Sequence, residues 1–451
     1  MAKNQTSYIC NHCHYSSIKW LGCCPGCHEW DTFTTARQTS TRSGTSGGRQ
    51  TPVRETRVIP LKSVSTTHRQ RMISGIGEWD RVVGGGIMPS SFIMLTGDPG
   101  IGKSTLLLQI CNKLAQRHRT LYFSTEESLQ QVKLRAERIG SIADGLHTSD
   151  QTDLEAIIAT AQQEKPELLI IDSIQNCYLP GASSSAGSIS QLREAAFLLM
   201  RLAKEGGITV IITGHITKEG TVAGPKTVEH MVDAVLYLQG EERWQSRMLR
   251  AVKNRFGTIN ELGFFDMEQH GLREVTNINA HLLSEASHVP GSALVSIVEG
   301  SRPLLLELQA LTVESKLAVP QRVVSGLDHK HVVLIAAILQ KYLQVKFSAQ
   351  DIFFKVSGGM KIKSSVVDLG IALALLSSYF QQPLPKQSIA LGEISLTGQI
   401  KPIDQLNTLI PEMKKFGVTQ LILAKNQKTA SLPCPTHRFH SIYQLLSLFE
   451  Q

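Results

Sequence analysis

Short apolar runs and longer stretches of helical spacing alternate between residues 92 and 266. The runs 92–96, 120–124, 167–171 and 208–212 are mostly apolar and only five residues long. Runs this short and continuous are strands buried on both faces, so their alternation with helices implies a largely parallel sheet covered on each side. Helices are predicted over 104–117, 129–139 and 189–204, the last stopped by Gly206-Gly207 as a C-terminal cap requires. Further strands at 234–238, 248–252 and 263–266 continue the sheet. A second globular region, about 280–451, has its start marked by Val289-Pro290-Gly291.

The chain before residue 58 reads differently. Residues 34–57 are Thr, Ser, Gly, Gln and Arg with almost nothing apolar, the composition of a flexible tether. Residues 1–33 are rich in cysteine, carry Trp20 and Trp30, and have few residues with which to build a core. The expected organisation is a metal-binding module at 1–33, a linker at 34–57, an α/β domain at 58–275 and a second α/β domain at 280–451, with no internal repeat.

With 451 residues, 42% apolar and 19% charged, the chain is not a disordered one. No apolar run reaches the eighteen or so residues of a membrane span, and the polar N-terminus lacks a secretory apolar core, so a cytoplasmic protein without membrane contact is expected. The net charge of +8 is concentrated at the front, where residues 1–75 hold ten Lys or Arg against three acids. That distribution points to a polyanionic partner or to a solvated basic tail. Five of the eight cysteines fall between Cys10 and Cys27. Cys111, Cys177 and Cys434 are scattered and read as small buried hydrophobes.

The sharpest chemical signal is Gly97-Asp98-Pro99-Gly100-Ile101-Gly102-Lys103-Ser104. It fits the phosphate-binding loop pattern and lies between a strand and a helix. Backbone N–H groups turned inward by the glycines would face phosphate oxygens at the positive end of a helix. Lys103 is then a cation for the β- and γ-phosphates of ATP, Ser104 a ligand for Mg²⁺, and Thr105 a donor to the α-phosphate. A second metal-side carboxylate is expected at Asp172, which ends the buried run 168–171 at the carboxyl edge of the sheet. Glu126 is the candidate base for the attacking water, with Glu127 in support; both follow the second strand, expected beside the first.

Lys253-Asn254-Arg255-Phe256-Gly257 ends another strand. Its two cations, two residues apart, are expected to project together and unpaired, suited to a nucleotide on a neighbouring subunit. The Gly-rich loop 214–226 holds His215 near its start, a candidate sensor of nucleotide state, and carries Lys218 and Lys226 toward DNA. Cys10-x₂-Cys13 and Cys24-x₂-Cys27 offer four thiolates at the spacing of a structural Zn²⁺ site, whose metal would supply about 10 kcal/mol or more of folding energy. Cys23 is left over, His12, His14 and His28 are less well spaced substitutes, and a redox role for the CxxC pairs is the competing reading.

Together these residues resemble the bacterial RadA (Sms) family of RecA-like DNA repair ATPases, distinct from the archaeal recombinases that share the name. The resemblance runs through Trp20-Leu21-Gly22, the phosphate loop, Ser124-Thr125-Glu126-Glu127-Ser128, Thr217-Lys218-Glu219-Gly220, Glu229-His230-Met231-Val232-Asp233 and the 253–257 motif. It implies a RecA-like P-loop core, a four-Cys zinc module and a Lon-protease-like C-terminal domain. It further implies DNA-stimulated ATP hydrolysis, a homohexameric ring, and translocation on single-stranded DNA that branch-migrates recombination intermediates. A RecA-type recombinase and the replicative helicase are the implied protein partners. In such rings Lys253 and Arg255 would act on the neighbour's nucleotide. The Lon-like signature is 391–403. Val366 stands near the family's Ser position and Asn407 near its Lys, and neither can perform the proteolytic chemistry. Ser364 and Ser365 are close but without an evident lysine, so the domain reads as a scaffold with Lys355, Lys361 and Lys363 as a DNA-facing surface. The rival functions are a RecA-type filament or strand-exchange factor without motor activity, an ATP-dependent protease, and a nucleotide switch without DNA.

Overall fold

The computed structural model describes residues 7–10, 16–17, 20, 22–25, 27, 30, 33–36, 60–63, 70–140, 143–181, 185–215, 228–240, 246–283, 286–428 and 434–449. Contacts divide the chain into two units, Met1–Thr67 and His68–Gln451. In the first unit β1 (Ser7–Cys10) lies between β2 (Ser16–Ser17) and β3 (Phe33–Ala36), antiparallel to both. Among the described residues no helix is long and apolar enough to cross a membrane.

The second unit begins with a short helix, α1 (Gly77–Val82). A nine-stranded sheet follows, built from β4 (Phe92–Gly97), β5 (Thr120–Ser124), β6 (Leu146–Ser149), β7 (Leu168–Asp172), β8 (Thr209–His215), β9 (Ala234–Gly240), β10 (Ser246–Asn254), β11 (Leu262–Glu268) and β12 (Gly271–Glu274). Their spatial order is β12-β11-β10-β9-β4-β8-β7-β5-β6. The strands from β9 to β6 are parallel, as the near-continuous apolar runs imply. β10, β11 and β12 run antiparallel, because the short turns that join them leave no room for a crossover.

One face of this sheet packs on α2 (Lys103–Leu114) and α3 (Leu129–Arg138). The other packs on α4 (Leu154–Glu164) and α5 (Ile189–Gly206). Local sequence accounts for the helix ends. Ser128 and Gln131 form a reciprocal capping box at the start of α3. Gly207 takes φ 71°, the left-handed conformation that ends α5 where the Gly-Gly pair predicts.

The C-terminal half is built on a seven-stranded sheet, preceded by α6 (Ile278–Leu283). Its strands are β13 (Ser292–Glu299), β14 (Arg302–Glu314), β15 (Arg322–Ser325), β16 (Gln350–Val356) and β17 (Ser388–Leu391), then β20 (Gln420–Ala424) and β21 (Thr436–Phe439). A small ribbon, β18 (Glu393–Ile394) with β19 (Ile400–Lys401), interrupts the chain order. On one face lie α7 (His329–Leu343) and α8 (Asp368–Phe380), the latter buried over nearly its whole length. On the other lies α9 (Leu406–Lys415).

A buried ion pair joins the two sheets. Arg302, the first residue of β14, donates to Glu78 of α1 at 2.6 Å and to the Thr276 carbonyl at 3.2 Å, and its guanidinium stacks 5.3 Å over the Phe264 ring. The same Glu78 oxygen accepts the Phe264 backbone N–H at 2.9 Å. Removing one partner of such a pair strands the other charge away from water. Arg302→Met is therefore expected to destabilise the chain by about 3–5 kcal/mol, read as a lower urea midpoint by circular dichroism. Adding Glu78→Gln to it should restore part of the loss.

Candidate nucleotide site

The phosphate-loop pattern is realised where β4 turns into α2. Gly97 is compulsory on steric grounds: a Cβ there would lie 2.1 Å from the Leu238 carbonyl oxygen of β9. Gly102 adopts φ 111°, and a Cβ there would meet the Met267 methyl at 2.8 Å. These two positions bend the loop so that Lys103, Ser104 and Thr105 form the first turn of α2. The Lys103 ammonium is almost wholly buried and donates to the carbonyls of Gly97 at 2.9 Å and Asp98 at 3.0 Å. Burial pulls its pKa below the usual lysine value, opposed by the negative charges of Asp172, Glu126 and Asp98. Those four ionisable groups therefore share one electrostatic site. Pro99, Gly100 and Ile101 complete the loop, and the Ile101 carbonyl accepts from Arg247 of β10 at 3.2 Å.

Asp172 is held from both sides. Tyr122 of β5 donates to Oδ2 at 2.6 Å and Thr213 of β8 to Oδ1 at 2.5 Å. Burial, and next the Asp172 charge, push the Tyr122 phenol well above its ordinary pKa, so it remains a proton donor. Glu126 accepts from the Ser173 hydroxyl, which sets its carboxylate beside the tip of β7. Thr125 fastens that tip: its hydroxyl donates to the Ser173 carbonyl at 2.6 Å and accepts the Ser173 N–H at 2.8 Å.

Three sequence expectations need correction. β5 is not beside β4: both flanks of β4 are taken by β8 and β9, and β5 pairs with β7 and β6. Glu126 nonetheless comes close because β7 brings Ser173 to it. Glu127 does not support Glu126, because Arg135 of α3 grips both its oxygens at 2.6 and 2.5 Å. Lys253 and Arg255 are not unpaired. Lys253 donates to the Glu229 carbonyl at 2.8 Å, and Arg255 contacts Asp233 at 3.3 Å. Asp233 is buried, also binds Lys204 at 2.5 Å, and accepts the Phe92 N–H at 2.9 Å. The two cations do lie near each other, since the Arg255 charge adds to burial in lowering the Lys253 pKa.

The position of this cluster matters more than its pairing. Asn254 and Ile93 are both in register with Ala234, so the 253–257 turn lies at the entry end of β4. The phosphate loop leaves from the other end, four residues on, roughly 13 Å away along the strand. Lys253 and Arg255 thus do not join the loop of their own chain.

Comparison with known proteins bears on this site. Residues 72–221 match the AAA domain family, residues 320–427 the family "Subunit ChlI of Mg-chelatase", and residues 8–35 the rubredoxin metal binding domain. The DNA repair protein RadA of Halalkalibacterium halodurans is 41% identical over 429 residues, covering 94% of this chain and 93% of that protein. The DNA repair protein RadA of Streptococcus pyogenes serotype M6 is 42% identical over 431 residues, covering 94% of each. The chain belongs to the DNA repair protein RadA family. Like its ATPase domain, the RadA fold makes it an ATP-hydrolysing enzyme. Among solved structures, the RadB recombinase is 21% identical with a TM-score of 0.37, covering 45% of this chain and 99% of that chain.

The metal-binding segment of this RadA family member is consistent with a thiolate site. Cys10 and Cys24 are buried, Cys27 lies beside them, and the three sulfurs fall within 4.8 Å of one another, Cys10 and Cys27 at 3.6 Å. A zinc–sulfur bond of about 2.3 Å sets tetrahedral sulfurs ~3.8 Å apart, which these three fit. Cys23 is not in the cluster and forms a backbone bridge to Trp30. Cys13, His12, His14 and His28 lie outside the described residues, as do Lys218 and Lys226; nothing is described of the His215 side chain.

In the Lon-like region Ser365 donates to Glu393 and Ser364 accepts the Val366 N–H at 3.4 Å. Neither serine has a lysine partner among the described residues. Lys355, Lys361 and Lys363 are exposed. Sequence reasoning missed Tyr122, Thr213 and Ser173. The available signal was a hydroxyl near the carboxyl end of each of two buried apolar runs, and beside Asp172 itself.

The thiolate cluster predicts about one tightly held divalent metal per chain. Cys24→Ser is expected to bring that content near zero by elemental analysis, since two or three remaining thiolates cannot close a tetrahedral site.

Proposed function

We propose that this chain is a DNA-stimulated ATPase of recombinational repair that works as a hexameric ring, translocating on single-stranded DNA and branch-migrating recombination intermediates. The observation that carries this reading is the placement of Lys253 and Arg255 at the opposite end of β4 from their own phosphate loop. A head-to-tail ring sets unlike surfaces of successive subunits together, so one subunit's entry-end cations meet the next subunit's loop. There they act as trans cations on the nucleotide.

Within each site the backbone of Gly97, Asp98, Pro99, Gly100, Ile101 and Gly102 cradles phosphate oxygens, and Lys103 faces the β- and γ-phosphates. Thr105 donates to the α-phosphate. Ser104 and Asp172 would hold Mg²⁺, a pairing favoured by a hydroxyl on the first turn of α2 and a carboxylate at the tip of β7, one strand removed from β4. ATP with its Mg²⁺ supplies the scissile phosphoanhydride and the charge neutralisation at its oxygens. Glu126, oriented by Ser173, draws a proton from the attacking water. Zn²⁺ sits on Cys10, Cys13, Cys24 and Cys27 as a structural ion.

DNA contact falls to Lys218 and Lys226 in the loop after β8 and to Lys361 and Lys363 in the Lon-like domain, by phosphate attraction rather than base reading. The name carried by the relatives, DNA repair protein, supports DNA as the polymer. A RecA-type recombinase and the replicative helicase are the protein partners of this reading.

Lys103→Ala is expected to lower DNA-stimulated ATP hydrolysis by about a hundredfold or more; full retention would remove the phosphate-loop assignment. Mixed rings of Lys103→Ala and Arg255→Ala subunits should recover part of the activity that each lacks alone, since some interfaces then pair an intact loop with an intact Arg255. Absence of recovery in rings shown to be mixed, or open filaments in negative-stain images, would overturn the ring motor. The logarithm of the affinity for single-stranded DNA should fall linearly with log salt, with a slope of about −0.7 per phosphate contacted.

A further inference from the structure

We propose that Tyr122 and Thr213 are positioning residues that hold the Asp172 carboxylate in the orientation the nucleotide's metal ion requires. This rests on the reading of Asp172 as the metal-side carboxylate. β7, which ends in Asp172, is flanked by β5 and β8, and each neighbour sends one hydroxyl to one oxygen of the carboxylate. The distances of 2.6 and 2.5 Å are those of strong hydroxyl–carboxylate bonds. Asp172, Tyr122 and Thr213 are all buried. Two donors on opposite oxygens leave the carboxylate group no free rotation, yet each oxygen keeps lone-pair capacity for a metal-bound water.

The surroundings show why the hydroxyls are not packing alone. Thr213 follows Val210, Ile211 and Ile212 in a stretch of β8 buried from Thr209 to Gly214, where an aliphatic residue would fill the space without needing an acceptor. The Tyr122 ring packs in the same cluster as Leu106, Leu107, Ile110 and Cys111 of α2. That helix carries Lys103 and Ser104 in its first turn. Tyr122 therefore references Asp172 to the element that presents the other metal-side group, and Thr213 references it to the strand beside β4.

The test measures affinity, without turnover, of the full chain for a fluorescent nonhydrolysable ATP analogue in Mg²⁺ and in EDTA. The ratio of the two dissociation constants reports the metal's contribution to binding. Tyr122→Phe and Thr213→Val are each expected to shrink that ratio about tenfold, with affinity in EDTA unchanged, and Thr213→Ser to restore it. A wild-type ratio in both Tyr122→Phe and Thr213→Val, or equal weakening with and without metal, overturns the positioning role. Asp172→Asn separates the two levels of the argument. If it collapses the ratio while Tyr122→Phe and Thr213→Val keep it, only the positioning role falls. If Asp172→Asn itself keeps a wild-type ratio, the metal reading of Asp172 falls, and the positioning role with it.

Discussion

An ionised group removed from water without a partner costs several kcal/mol, a large share of a domain's net stability, so buried charge must be answered on the spot. The second unit is arranged around that requirement. Lys103 is met by loop carbonyls and by the field of Asp172, Glu126 and Asp98. Asp172 is met by two hydroxyls, Asp233 by Lys204, Arg255 and a backbone N–H, and Glu78 by Arg302. Each answer comes from a different element than the charge itself. Strand order, helix placement and the junction between the two sheets are consequently tied to chemistry as well as to apolar packing.

Much of the site was legible because its signal is local. A loop of glycines ahead of Lys103-Ser104 needs only its own residues to be read, and an acid after 168–171 needs only the end of a run. The cysteine spacing is local in the same sense. Pairings across strands are not local. That β8 and β7 separate β4 from β5 depends on which strands compete for the flanks of β4, and no periodicity within a strand encodes that choice. The engagement of Glu127 by Arg135 joins a loop to α3, and that of Arg255 by Asp233 joins a turn to the bend that enters β9. Tyr122 and Thr213 read as ordinary strand residues until the register brings them to Asp172.

The C-terminal half has a core of its own. Its sheet is fully dressed on one face by α7 and α8 and partly on the other by α9, a complete core by any measure of packing. Ser365, beside the Val366 expected near the family's Ser position, donates its hydroxyl to Glu393. This half is joined to the ATPase half at β14, through the buried Arg302–Glu78 contact.

The contact between Gly97 and Leu238 gives β9 a second significance. A separation that excludes even a methyl group leaves no slack between the loop and this strand. β9 is paired with β10 along its length, and β10 ends in the 253–257 turn. The two strands therefore run from the phosphate loop at one tip to the Lys253–Arg255 turn at the other. The group that grips phosphate and the turn that carries Lys253 and Arg255 are thus measured off along one shared length of hydrogen-bonded backbone.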